Sequence, residues 1–114
     1  MKVHIHTTSE FKRMAKPLAK KYKSFEDDYN NFLDELEENP NLGTSLGHGV
    51  FKVRMAIASK GKGKSGGARV LTFHVNQIND EEIDVSLLSI YDKGEIDNVS
   101  DAYIKQIVKN MKWV

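Results

Sequence analysis

The chain has 114 residues, a net charge of +1 and no cysteine. A chain of that length makes one domain, residues 1–114, that can bury roughly two-thirds of its surface around a single core. Disulfides and thiolate metal sites are excluded. The apolar runs are too short for a bilayer span, and "MKVHIHTTSEF" lacks the apolar stretch of a secretory leader, so a soluble, cytoplasmic protein with no membrane partner is expected.

Met1 to Thr7 alternates Val3 and Ile5 with His4 and His6, which predicts a short strand. Thr7 and Glu10 have the spacing of a capping box. Behind them Phe11, Met14, Ala15, Leu18, Ala19 and Tyr22 recur at helical spacing with lysines opposite, and Pro17 predicts a kink. Ser24 and Asp27 mark a second cap. The stripe Phe25, Tyr29, Phe32, Leu33 and Leu36 then runs to "NPNLG". These two helices read as an antiparallel hairpin, with Asp27, Asp28, Glu37 and Glu38 on solvated faces.

After Gly49 the period changes to two. Phe51, Val53, Met55 and Ile57 fall on one side of a strand, Lys52, Arg54, Ala56 and Ala58 on the other. A glycine- and lysine-rich loop follows, then the strand "ARVLTFHVNQI", a turn at "NDEE", and "IDVSLLSIY", whose nearly continuous apolar character predicts the centre of a sheet. Beyond the loop "DKGEIDN", Ser100 and Asp101 can cap a last helix carrying Tyr103, Ile104, Ile107, Val108 and Met111. The predicted order is β-α-α-β-β-β-α, an α+β fold with a small, mainly antiparallel sheet.

The charge is unevenly spread. Between Glu38 and Asp80 there is no acidic residue, while Lys52, Arg54, Lys60, Lys62, Lys64 and Arg69 all fall there. One-signed segments of this kind suit a polyanionic partner. Ala58 with "SKGKGKS" also matches a permissive phosphate-binding loop, but that loop needs a helix beginning at its lysine. Here "GGARVLTFHV" brings two glycines and then strand chemistry. A nucleotide-hydrolase site is therefore excluded, and the loop reads as the turn of a β-hairpin.

On such a hairpin Lys52 and Arg54 share a face about 7 Å apart, at twice the rise per residue, and Arg69 starts the next strand beside them. Fixed cations around a phosphodiester stabilise the charge that builds up when an RNA 2′-hydroxyl attacks phosphorus, with no metal or cofactor required. Lys52 can act as base if its pKa is lowered; arginine clamps. His74, on the strand after the loop, is a second proton-transfer candidate or a solvent-facing residue. His4 and His6 show no third metal ligand in the sequence.

Through "NPNLGTSLGHGVFKVRMAIASKGKGKSGGARVLTF" and "LLSIYDKGEIDNVSD" the chain resembles the RelE/ParE toxin superfamily, most closely the HigB/RelE-type toxins of bacterial toxin–antitoxin modules. The resemblance implies a RelE-like fold and cleavage of mRNA on the ribosome. It also implies inhibition by a cognate antitoxin. By position it assigns catalytic and phosphate-anchoring roles to Lys52, Arg54, Arg69 and Lys93, and RNA-backbone contacts to Lys60, Lys62 and Lys64, with His74 added as an RNA contact on the neighbouring strand. A tyrosine that stacks on the substrate base in several relatives is replaced here by Ser100 and Asp101, leaving Tyr91 and Tyr103 as the nearby rings. A ParE-like, non-nucleolytic gyrase inhibitor and an inactive RNA- or antitoxin-binding relative are the alternatives.

Overall fold

In a computed structural model of the chain, described over residues 2–61, 63–95 and 99–110, the elements run β1 (Lys2–Thr7), α1 (Ser9–Lys21), α2 (Phe25–Glu38), β2 (Thr44–Gly47) and β3 (Val50–Met55). A 3₁₀ turn (Ala58–Lys60) and the single helical turn α3 (Gly63–Gly66) follow. They lead to β4 (Ala68–Asn79), β5 (Glu82–Asp92) and α4 (Asp101–Asn110). The five strands form one mixed sheet in the order β1-β5-β4-β3-β2. Only the β1–β5 pairing is parallel. The α+β class and the β3–β4 hairpin agree with the sequence. Strand β5 is interior and buried along most of its length, although the middle position belongs to β4.

Strand β2 and the two helical turns within the basic loop, Ala58–Lys60 and Gly63–Gly66, are additions to the predicted order. Strand β2 pairs with β3 through the two-residue turn His48–Gly49, whose φ angles of 56° and 79° give the twist that a tight hairpin requires. The sequence signal for it is weak because "TSLG" is short and has one large apolar residue.

The caps also differ in detail. Because β1 pairs with β5 through Thr7, the helix starts one residue later. Thr8 is the N-cap of α1, its hydroxyl oxygen accepting the Phe11 N–H at 3.0 Å. Helix α1 runs unbroken through Pro17, which lies on its exposed side, where solvent can satisfy the carbonyl that loses its donor. At α2 the Ser24 hydroxyl makes no capping bond to the helix; it donates instead to the Asp28 carboxylate at 2.7 Å.

Two apolar clusters flank the sheet. On one face Phe11, Leu18, Phe25, Phe32 and Leu36 from α1 and α2 pack on Val53, Met55, Val70, Val85, Leu87 and Ile90. On the other, Ile104 of α4 packs on Val50, Leu71, Phe73 and Leu88. The alternation read in "FKVRMAI" therefore sends Val53, Met55 and Ile57 to the helical core and Lys52 and Arg54 to the α4 side. No helix among the described residues is long and apolar enough to cross a membrane.

The sheet closes tightly where the basic loop returns. A Cβ at Gly67 would overlap the Met55 carbonyl oxygen and lie 3.0 Å from the Ile57 nitrogen. Gly67→Ala should therefore cost on the order of 1–3 kcal/mol, as overpacking typically does, measured by chemical denaturation. The same substitution at Gly61, with nothing within 4 Å of its Cβ position, should cost less, through its positive φ alone.

Candidate functional site

The antiparallel register of β3 and β4 places Arg54 directly opposite Arg69 and Lys52 opposite Leu71. Directly opposed residues project to one side of a sheet with Cβ atoms about 5 Å apart, so the two guanidinium stems are immediate neighbours. Lys93 follows the end of β5, where its N–H donates to the Gly67 carbonyl at 3.1 Å. All four side chains line one cleft of about 430 Å³, together with Glu35, Leu42, Gly43, Thr44 and Val53. The α4 cluster covers the Val50–Phe73 half of this face, and no α4 residue lines the cleft.

The cations differ in exposure. Arg54 is exposed, Lys52 and Lys93 are half-buried, and Arg69 is 6% exposed with Nη1 donating to the Ala68 carbonyl at 3.1 Å. Like charges directly opposed across a strand pair repel, and an anion can bridge such a pair. Glu35, in the last turns of α2, is the one carboxylate among the described lining residues, and spacing alone did not single it out. Gly43, at φ +99°, seats the cleft rim against the Lys52 carbonyl, which a Cβ there would overlap.

The loop cations are placed differently from expectation. Lys60 points inward: its side chain is 11% exposed, and Nζ lies 2.6 Å from Asp92 Oδ1. It also stands over the Tyr22 ring, 5.5 Å from the centroid. It was expected on RNA; the buried carboxylate claims it because β5 ends directly beneath the turn. Lys62 and the side chain of Lys64 lie outside the described residues. His74 is not among the residues lining the cleft; its Nε2 is 2.6 Å from the Pro40 carbonyl and its ring stacks on Phe51 at 4.6 Å.

The loop is held at its start by a second buried carboxylate. Asp28 accepts the Ala58 N–H at 3.1 Å and the Ser24 hydroxyl, while Ser24 Oγ accepts the Ser59 N–H at 2.9 Å. The expectation of a solvated helix face fails for Asp28, which is 8% exposed, because the chain beyond β3 folds down onto the first turn of α2. His4 and His6 lie 3.2 and 3.0 Å from Glu82 and Asp84, across the β1–β5 pair. Tyr91 is buried in register with Arg69, and the Tyr103 hydroxyl donates to Met14 Sδ at 3.6 Å. Neither tyrosine lines the cleft. No protein-family model matches the chain.

Burial alone would raise the Asp92 pKa, but hydrogen bonds from Lys60, Tyr22 and the Gly94 N–H outweigh it and hold the carboxyl down to about 2. A group whose folded pKa is depressed adds stability above its unfolded value and loses it as pH falls through the folded one. The shift from 3.8 to about 2 corresponds to on the order of 2 kcal/mol. The stability difference between wild type and Asp92→Asn should be full above pH 5 and shrink toward pH 2, as read by urea denaturation across that range.

Proposed function

We propose that the chain is a ribosome-dependent mRNA endonuclease of a toxin–antitoxin module, with a RelE-like fold, cutting by metal-independent attack of a 2′-hydroxyl on the adjacent phosphorus. The observation that carries the reading is the convergence of Lys52, Arg54, Arg69 and Lys93 on one cleft. These are the same four positions to which the resemblance to HigB/RelE-type toxins assigns the chemistry.

In this reaction the 2′-oxygen bonds to phosphorus, the 5′-oxygen leaves, and a 2′,3′-cyclic phosphate remains. Negative charge grows on the non-bridging oxygens and on the leaving oxygen. Arg54 and Arg69, side by side on the sheet, are suited to hold the first; an ammonium at the rim, Lys93, is suited to meet the second. The proton of the attacking hydroxyl needs an acceptor. Glu35 can take it as a carboxylate, whereas Lys52 can do so only in its uncharged form.

Purified protein should cut mRNA on programmed ribosomes, leaving new 5′ ends that primer extension maps. Arg54→Ala should lower the rate roughly 10²- to 10³-fold, the usual loss for one transition-state donor, with the melting temperature nearly unchanged because Arg54 is exposed. Glu35→Gln and Lys52→Met identify the base: the one that abolishes single-turnover cleavage while mRNA still binds carries the proton. Induction that damages DNA without creating RNA ends would replace this reading with the gyrase-inhibitor one.

A further inference from the structure

We infer that Lys60 and Asp92 are positioning residues for the cleft, a buried ion pair that holds Arg69 and Lys93 in place, and that Lys60 does not contact nucleic acid. The inference rests on the phosphodiester-cleaving reading above.

Three segments meet at the Asp92 carboxylate. Lys60 comes from the 3₁₀ turn, and its Nζ lies 2.6 Å from Oδ1. Tyr22, just beyond α1, donates its hydroxyl to Oδ2 at 2.6 Å. The Gly94 N–H donates to Oδ1 at 2.8 Å, bending the chain back after Lys93. Lys60 Nζ also lies 3.4 Å from the Gly67 carbonyl, the same oxygen that accepts the Lys93 N–H. Gly67 precedes Ala68, which pairs with Asp92, and Arg69 comes next.

The backbone on either side of the ion pair therefore carries two of the four cleft cations. Successive residues of a strand point to opposite faces, so Asp92 faces the helices while Lys93 and Arg69 face the cleft. Lys60 grips the sheet from behind the site. The start of the turn is separately tied to α2 through Asp28 and Ser24. Releasing Lys60 toward a phosphate would strip a buried carboxylate of its counter-charge, so the ammonium is committed inward.

The test uses the full chain with Lys60→Met, Asp92→Asn and Tyr22→Phe, the last removing a single hydroxyl from Asp92. On programmed ribosomes, Lys60→Met and Asp92→Asn should lose on the order of 10²-fold in kcat, the effect of about 1 Å of misplacement, with KM changed less than about threefold. The salt slope of RNA binding should equal that of wild type. If Lys60 instead binds phosphate, KM rises, kcat holds and the log–log slope falls by about 0.7, and the inference is overturned. Should Lys60→Met fail to fold, a wild-type kcat in Tyr22→Phe overturns it equally. If the wild-type protein cuts no RNA, the nuclease reading fails by itself. The clamp is then judged by amide exchange at Lys93 and Gly94: faster by about tenfold or more in Asp92→Asn supports it, and unchanged rates refute it.

Discussion

The register of β3 against β4 is the constraint from which the cleft follows. Val53 faces Val70 and Met55 faces Ala68, all of them buried in the helical core. A slip of β3 by one residue would turn Lys52 and Arg54 into that core and expose Val53 and Met55, so the register is strongly specified. The hydrophobic effect on one face thereby holds two arginines against each other on the opposite face. Apolar burial in the same pair of strands offsets the repulsion between their like charges.

Two buried carboxylates do a complementary job. Asp28 fixes the point where the chain leaves β3, and Asp92 fixes where it returns. The segment between them starts at a short turn pinned at several backbone positions. A lysine-rich stretch with many glycines suggests a mobile cationic arm; here its first lysine is a structural counter-ion. Net charge and residue type misled at Lys60 because what matters is the partner beneath it, supplied from the end of β5.

The two faces of the sheet are covered unequally. Helices α1 and α2 cover one, whereas α4 covers only the half of the other around Leu71, Phe73 and Leu88. Among the described residues, the cleft cations lie on the half that α4 leaves uncovered. Glu35 reaches the same cleft from the end of α2, past the edge of β3 that β2 leaves bare. It is the one carboxylate among the described residues that line the cleft.

Much of this was legible in the residues themselves. Period-two alternation through "FKVRMAI" and the β-branched run after the loop determine a hairpin with its cations on one side, because side-chain direction in a strand depends only on parity. Helical stripes at Phe11–Leu18 and Phe25–Leu36 likewise determine which faces are buried. Tertiary structure alone decided the parallel seating of β1 on β5, the burial of Asp28 and Asp92, the inward turn of Lys60 and the arrival of Glu35. Each of these joins residues far apart along the chain, and no local period records a contact whose energy comes from a partner many residues away.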